Sequence, residues 1–361
     1  MFRIKKIQRI FIFILVSGIC YSTGYGNDES KALELFHNKQ YKESLSYFKN
    51  TLAAESAVHN KSLFVKYGIA LIETKKYQDA VDILSTGISQ YPRTKNANYN
   101  LGLAYYWQGN IMASRTYFIN EARVNPKNPR AYFMYGYVSG RLGEDSIADR
   151  YMQKGVKMDP SSEMMSGVYN GFLTTKSLQL MEKDPRKSLK YAQKAEKYFK
   201  KNVKTYEILS ALYFQMGRYA DSVKACDQLV KLKPEIGFYH NNLANALLYE
   251  GKDIPRAKAE IEKAIERSPD MLPFFQDTMS WAEYKLGNRE KALELLQQLE
   301  KNADKEGLPL DMKASVYYHL GEIYKDSKEY SRAKEYYQKA VDLKVKGLEA
   351  DSAKKALLKL K

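Results

Sequence analysis

The chain has 361 residues, of which 44% are hydrophobic and 28% are charged. This balance excludes an intrinsically disordered chain, which would lack the apolar residues that a folded core needs. The formal net charge of +16 at pH 7 has two interpretations: the chain binds anionic partners or surfaces, or it has a lysine-rich, solvated helical surface. The length suffices for more than one globular domain or for one long array of repeats.

The first predicted element is an export signal at residues 1–26. The chain opens with basic residues and no acidic one, and residues 10–16 then read IFIFILV. This apolar run is shorter than the roughly 20 residues that a membrane-spanning helix needs. We therefore predict a Sec signal peptide that is cleaved after Gly24 or Gly26, which would deliver the protein to the periplasm or cell envelope.

Two alternatives to simple cleavage stay open. The apolar run could remain as an uncleaved anchor, or Cys20 could be lipidated, although the bulky Ile19 before it departs from the usual lipoprotein signal. Membrane attachment through lipid is expected only if Cys20 is modified. Removal of residues 1–26 would leave a single cysteine, Cys226, so no internal disulfide is expected. Cys226 falls at an inward helical position, which predicts a packed core thiol.

Internal repetition with a period of 34 residues organises the rest of the sequence. Prolines, glycines and small residues recur at this spacing, each at its own phase: Pro92, Pro126 and Pro160; Gly68, Gly102 and Gly136; Ala80, Ser114 and Ala148. Gly109 and Gly143, and also Gly217 and Gly251, lie 34 residues apart where one helix must turn into the next. The pattern predicts pairs of amphipathic helices that bury their apolar faces against neighbouring pairs.

The repeat resembles the tetratricopeptide pattern Trp-x2-Leu-Gly-x2-Tyr, then Ala-x3-Phe, then Pro. The last copy supplies Tyr317, Leu320, Gly321, Tyr324, Ala333, Tyr337 and Ala340. The resemblance implies an all-α fold, a TPR-type α-solenoid in which antiparallel helix pairs form a right-handed superhelix. We predict a single solenoid over residues 27–361, with copies at about 27–58, 61–94, 95–128, 129–162, 163–202, 203–236, 237–272, 273–306 and 314–347 and a capping helix at 348–361.

Two stretches depart from the period. The copy at residues 163–202 has about six extra residues, including Asp184 and Pro185, which predicts a longer first helix and a distorted turn. This copy is either a joint between two sub-arrays or a tolerated surface insertion. Residues 302–311 break the helical pattern and predict a loop.

Motifs for catalysis, metal binding or cofactor binding are missing from the sequence. The four histidines form no HExxH pair, and no Gly-x-Ser-x-Gly elbow is present. Carboxylates such as Glu260 and Glu262 lie on polar helix faces, where we expect a solvated surface. His240 and His319 are interpreted as packing or rim residues. We therefore expect a protein that binds rather than an enzyme, with no metal and no cofactor.

In the tetratricopeptide family, positions two, five, nine and twelve of each repeat line a concave face. Carried onto this sequence, the resemblance implies a partner-binding groove of aromatic, arginine and asparagine side chains: Tyr99, Tyr106, Arg130, Phe133, Tyr137, Phe214, Phe238, Asn241, Asn245, Phe274, Trp281, Tyr284 and Tyr318. Such side chains carry much of the binding energy at interfaces. We expect roughly half of them to be buried between neighbouring repeats. Glu207, Leu248 and Asp277 fall at the same repeat positions.

The resemblance implies a scaffold of the bacterial cell envelope that binds an envelope protein or peptide. The lysine and asparagine with which chaperone-binding members hold a C-terminal carboxylate are not matched, since Val65 and Ile69 stand there in the second copy. The alternative function is polysaccharide export or cell-wall assembly, with an anionic glycan as the partner. No nucleic-acid motif is present, so no nucleic-acid partner is expected.

Overall fold

The computed structural model of the protein describes residues 25–53, 60–305 and 307–360. The predicted signal peptide lies outside the described residues, apart from Tyr25 and Gly26 at the start of the first helix. Within the described ranges the chain forms nineteen α-helices and no β-strand. The helices are α1 (Tyr25–His37), α2 (Tyr41–Ala53), α3 (Lys61–Glu73), α4 (Tyr77–Gln90), α5 (Ala97–Trp107), α6 (Ile111–Val124), α7 (Pro129–Arg141), α8 (Asp145–Met158), α9 (Glu163–Leu180), α10 (Pro185–Tyr198), α11 (Val203–Gln215), α12 (Tyr219–Leu232), α13 (Gly237–Glu250), α14 (Ile254–Arg267), α15 (Leu272–Lys285), α16 (Arg289–Asn302), α17 (Leu310–Asp326), α18 (Tyr330–Asp342) and α19 (Leu348–Lys359).

The chain divides into two compact units, residues 1–169 and residues 170–361, and the boundary falls within α9. In the first unit α1 packs against α2, α3 against α4, α5 against α6 and α7 against α8. In the second unit α11 pairs with α12, α13 with α14, α15 with α16 and α17 with α18, while α19 packs against α17 and α18. The predicted fold class, an all-α solenoid of antiparallel helix pairs, is confirmed.

A glycine of the first helix lies directly against a large side chain of the second helix in three pairs of the first unit. The contacts are Gly68 with Leu84, Gly102 with Phe118 and Gly136 with Met152. Leu84, Phe118 and Met152 are fully buried and repeat at the same spacing as the glycines. A Cβ atom added to Gly68 would lie only 2.5 Å from Leu84 Cδ2. The periodic glycine and the large residue are therefore two halves of one helix–helix contact.

The periodic small residues lie on the second helices, at the same interfaces. Ala80, Ser114 and Ala148 are all fully buried. The Ser114 hydroxyl donates to the Gly102 carbonyl at 2.8 Å, and in the second unit the Ser222 hydroxyl donates to the Ser210 carbonyl at 2.9 Å. Serine is tolerated here because its buried hydroxyl has a partner in the facing helix.

The turns and interruptions follow the sequence prediction closely. Gly109 and Gly143 turn the chain from first to second helix with φ of +81°, the left-handed conformation that glycine tolerates. In the irregular copy, α9 has 18 residues where α7 and α11 have 13. The loop predicted before the last repeat separates α16, which ends at Asn302, from α17, which begins at Leu310.

The first prediction concerns the glycine contact. We expect Gly136→Ala to lower the free energy of unfolding by about 1–3 kcal/mol, because overpacking forces backbone to shift; the new Cβ would lie 2.5 Å from the Met152 backbone nitrogen. Gly167→Ala is the matched control, since no atom lies within 4 Å of its Cβ position and alanine favours a helix by up to about 1 kcal/mol. Urea denaturation should separate the two variants, and equal midpoints would contradict the interpretation.

A buried carboxylate connects three helices of the second unit. Glu283 of α15 is fully buried and accepts hydrogen bonds from Lys291 Nζ at 2.6 Å and Asn288 Nδ2 at 2.7 Å, while Lys258 Nζ lies 3.3 Å away. Burial by itself would raise the pKa of this carboxyl, but the bonds from Lys291, Asn288 and Lys258 outweigh burial and lower the pKa to about 2. Glu283 therefore stabilises the fold in its ionised form.

The second prediction follows from the sign of this shift. Because the folded pKa lies below the ordinary value of 4.5, the stabilisation is complete above that value and is lost as the pH falls toward 2. At pH 7 we expect Glu283→Gln to reduce the free energy of unfolding by about 1–3 kcal/mol. The difference from wild type should narrow between about pH 5 and pH 2 in denaturation curves. A constant difference across that range would show that the charge of Glu283 contributes nothing.

Candidate functional site

One face of the second unit is built from the first helices of four pairs, α11, α13, α15 and α17. Their side chains line a cavity of about 410 Å³, which we call the first-helix groove. Phe214 of α11, Phe238, Asn241 and Asn245 of α13, and Phe274 of α15 all line it. The structure thus brings together in one place these five residues that the sequence predicts for partner binding.

Helical spacing explains how α13 contributes to the groove. Phe238 and Asn245 lie seven positions apart on one side of the helix, while Leu243 is buried on the other. Repeat position twelve predicts that Leu248 continues this stripe, but Leu248 is buried in the core. Tyr249, the next residue, contacts the Phe214 ring at 5.0 Å. Tyr249 lies four residues, about one helical turn, after Asn245. Helical spacing from Asn245 would therefore have identified Tyr249 from the sequence as a residue on the same side of α13.

The floor of the groove is a polar network around Asp277, which is 8% exposed. Ser315 Oγ donates to Asp277 Oδ2 at 2.6 Å, and His319 Nδ1 lies 2.8 Å from Asp277 Oδ1. Asn241 Oδ1 is buried and has no hydrogen-bond partner in the described part of the chain. A buried acceptor without a donor costs about 1–3 kcal/mol, so a ligand N–H that reached Asn241 would recover that cost.

The C-terminal segment of the chain forms the opposite wall of the groove. Residues 345–347 and the start of α19, including Glu349 and Ala350, line the same cavity. Leu348 and Glu349 also line an adjoining cavity of about 520 Å³ against α11, α12 and α13. The sequence pattern predicts residues 348–361 only as a cap. Its first turn instead reaches into the candidate binding surface.

Two predicted groove residues, Trp281 and Phe133, belong to the core instead. Trp281 is 6% exposed, and its ring stacks between His319, with centroids 4.1 Å apart, and Tyr284, with centroids 4.9 Å apart. Phe133 in the first unit is 2% exposed, because Gly155 has no side chain and lets the Phe133 Cβ approach closely. Assigning these two residues to a partner-binding surface was wrong, since large rings gain more by packing between helices.

Tyr284 and Tyr318 are half-buried rather than open. The Tyr284 hydroxyl donates to Asp326, and its ring covers Trp281. The pKa of Tyr318 is raised by burial and then by the charges of Glu322 and Glu349. Tyr318 packs against the core cluster that includes Ala353 of the C-terminal helix.

The first unit carries a separate aromatic patch, formed by Tyr106, Trp107, Tyr137 and Arg141. The rings of Tyr106 and Tyr137 are 6.1 Å apart, and Arg141 Nη1 donates to the Tyr106 hydroxyl at 3.2 Å. Trp107 lies edge-on to Tyr106 and is 57% exposed. Trp107 and Arg141 lie outside the repeat positions that imply the groove, so sequence reasoning missed them.

Tyr99 and Arg130 are neighbours elsewhere in the first unit. Burial raises the pKa of Tyr99, and the nearby charge of Arg130 partly offsets that rise. The Tyr99 ring packs on Phe118 with centroids 5.5 Å apart, whereas Arg130 is exposed. Of this predicted pair, Arg130 is the one open to solvent.

Two further sequence predictions have clear outcomes. Cys226 is buried, as predicted for a packed core thiol, and burial raises the pKa of the thiol to about 12. The expectation that Glu260 is solvated was wrong. Glu260 is buried, with His240 Nδ1 at 2.6 Å and Lys263 Nζ at 2.9 Å. Its partner His240 is equally buried, so the two side chains satisfy each other inside the α13–α14 pair.

Within residues 25–53, 60–305 and 307–360, no three His, Cys, Asp or Glu side chains are grouped as metal ligands would be. No helix in the same ranges combines the length and apolar character needed to cross a membrane.

Comparison with known proteins identifies the repeat. The family model described as tetratricopeptide repeat matches residues 129–162, 203–236 and 314–344. The first two ranges contain the helix pairs α7–α8 and α11–α12, and the third contains α18 and the part of α17 from Ala314 onward. The chain therefore contains tetratricopeptide repeats at these three segments.

Similar proteins share the repeat at low identity. A TPR repeat-containing protein of Methanocaldococcus jannaschii is 21% identical in an alignment of 292 residues that covers 74% of this chain and 49% of the relative. Anaphase-promoting complex subunit 6 of Arabidopsis thaliana is 21% identical over 223 residues, 62% of this chain and 40% of the relative. The chain thus spans half or less of the length of these curated relatives. A solved structure, the C-terminal part of a TPR repeat-containing protein from Cytophaga hutchinsonii, has a TM-score of 0.40 and 15% identity, covering 80% of this chain and 98% of that chain.

The third prediction separates core rings from groove rings. We expect Trp281→Ala to lower the free energy of unfolding by about 3–5 kcal/mol, as truncation of a buried ring does. Phe238→Ala should cost less than about 1 kcal/mol, because Phe238 is 40% exposed. Circular dichroism during urea denaturation measures both without depending on tryptophan fluorescence. If the two variants unfold at the same urea concentration, the division between core and groove is wrong.

Proposed function

We propose that this protein is a non-catalytic scaffold that binds a partner protein through a peptide segment lying in the first-helix groove. Tetratricopeptide-repeat proteins mediate protein–protein interaction, and the groove contains suitable chemistry. Phe238 and Phe274 offer apolar contact, while the amides of Asn241 and Asn245 can bond both the N–H and the C=O of an extended backbone. The unpaired, buried Asn241 Oδ1 is the observation that carries the proposal.

We further propose that the protein acts in the periplasm or cell envelope. The basic opening of the chain and the apolar run at residues 10–16 support export through the Sec route. Removal of residues 1–24 would leave the described helices intact, and removal of residues 1–26 would take only the first two residues of α1. Lipid attachment at Cys20 is the alternative route to the same location.

One observation favours a second function, the binding of an anionic glycan in polysaccharide export or cell-wall assembly. In the first unit, the exposed Trp107 ring lies beside Tyr106, to which Arg141 donates a hydrogen bond. An exposed ring next to a guanidinium group suits a sugar that carries a carboxylate or phosphate. This patch is separate from the first-helix groove, so the two functions can be tested with different variants.

The fourth prediction tests both functions with one set of variants. The full chain is expressed in a bacterial host, and the protein purified from that host is used as bait in bacterial envelope extract. The intact mass of the bait reports which N-terminal residues were removed and whether Cys20 is acylated. We expect the double variant Phe238→Ala, Asn245→Ala to recover at most about a tenth of the wild-type partner protein, since hot-spot truncation costs 1 kcal/mol or more for each residue. Trp107→Ala is the matched control, because it removes an exposed ring outside the groove.

The outcomes separate the two functions. Unchanged partner recovery with the double variant would exclude the first-helix groove as the peptide site. Loss of binding to purified envelope polysaccharide with Trp107→Ala, but not with the double variant, would support the glycan function. A bait that retains residues 1–26 without acylation would exclude the proposed processing.

A further inference from the structure

The carboxylate of Glu349 occupies an aromatic recess at one end of the first-helix groove. Tyr249 Oη donates to Glu349 Oε1 at 2.6 Å, although 100 residues separate the two in the chain. The Tyr249 ring lies 5.0 Å from Phe214 and 5.4 Å from Tyr219, so the hydroxyl is held in a fixed position by packed rings. A hydrogen bond from a fixed donor to a charged acceptor is among the stronger interactions of a partly desolvated site.

The Glu349 carboxylate accepts a hydrogen bond from a tyrosine hydroxyl and forms no ion pair with a cation among the described side chains. Among the residues that the structure describes, no lysine or arginine lies within 4.0 Å of its carboxylate. Burial raises the pKa values of Tyr249, Tyr219 and Tyr318, and the charge of Glu349 raises all three further. The direct contact among these is the hydrogen bond from Tyr249. Asp351, two residues further along α19, is exposed.

The part of the C-terminal segment that enters the groove differs from the part that holds α19 in place. Ala353 is fully buried in the core formed with α17 and α18, where Ala356 and Leu357 also pack. Residues 345–349 instead run across the first-helix groove, whose cavity of about 410 Å³ they leave unfilled. Their withdrawal would break the bond to Tyr249 without removing Ala353 from the core.

We propose that the Tyr249 hydroxyl, held in place by the packed rings of Phe214 and Tyr219, is the donor of a carboxylate subsite of the first-helix groove, and that Glu349 is an internal ligand of this subsite. The partner peptide carries a glutamate or aspartate that replaces Glu349 when it binds. This inference rests on the proposed peptide-binding function and adds the chemistry of the peptide. An internal ligand competes at a high effective concentration, so the chain binds its partner more weakly than an open groove would.

The fifth prediction uses the full chain and a labelled peptide with the sequence of residues 343–353, LKVKGLEADSA. We expect Glu349→Ala to bind this peptide at least about tenfold more tightly than wild type in fluorescence anisotropy. A peptide with glutamine in place of its first acidic residue should bind the same variant at least about tenfold more weakly than the glutamate peptide does. Asp351→Ala removes an equal charge from the same helix and should behave like wild type.

The double variant Glu349→Ala, Tyr249→Phe tests the donor. Phenylalanine keeps the ring packed on Phe214 and removes only the hydroxyl, so the unfolding midpoint should stay close to that of Glu349→Ala. We expect the preference for glutamate over glutamine in the peptide to disappear. Equal binding of the two peptides to Glu349→Ala, equal affinity of wild type and Glu349→Ala, or no measurable binding would each overturn the carboxylate subsite.

The partner from envelope extract distinguishes this inference from the proposed function. If Phe238→Ala with Asn245→Ala abolishes partner recovery while Glu349→Ala leaves it unchanged, the groove binds a partner but the carboxylate subsite is wrong. If Glu349→Ala prefers the glutamate peptide while the groove variant leaves partner recovery unchanged, the subsite stands and the proposed function fails. Increased partner recovery with Glu349→Ala supports both.

Discussion

The close approach of the two helices within each pair is the constraint on which the rest of the structure depends. Gly102 and Gly136 leave no Cβ at the contact, and Phe118 and Met152 fill the space from the second helix. A side chain at either glycine would meet atoms at less than 3 Å, so the helices would have to separate. Because the same contact recurs every 34 residues in the first unit, its successive pairs adopt similar geometry. In the second unit Gly321 lies against Tyr337 in the last pair, and the first helices of four pairs line one common face.

That common face brings together residues that no single helix could combine. The rings of Phe238 and Phe274 and the amide of Asn245 come from two helices, and the cavity among them exists only because α13 and α15 lie side by side. The polar groups of the groove are of two kinds. Asp277 already has partners in Ser315 and His319. Asn241 Oδ1 has no donor within the described residues and can accept a hydrogen bond from a ligand.

The C-terminal helix combines two roles. Ala353 closes the exposed apolar end of the last pair, as a terminal cap of a repeat array must do. The first turn of α19 places Glu349 against Tyr249, in the groove where a partner is proposed to bind. An acidic residue at the start of a helix is also favoured by the helix dipole, so Glu349 has a local reason for its position in addition to its contact with Tyr249.

The sequence by itself determined the features that are local or periodic: the helix pairs, the small residues at Ala80 and Ser114, the left-handed turn at Gly109 and the packed thiol of Cys226. These depend on backbone conformation and on residues within one repeat, so a period of 34 is enough to reveal them. Repeat position also placed Phe238 and Asn245 correctly in the groove.

Only the tertiary structure decided which rings are buried and which face the groove. Trp281 stacks on His319, a residue of the next pair, and repeat position cannot distinguish that contact from exposure to a partner. Glu260 is buried because His240 faces it from the neighbouring helix. The bond between Tyr249 and Glu349 joins residues 100 positions apart. Its formation depends on how α13 and α19 are packed, and the spacing of residues within one repeat does not predict that packing.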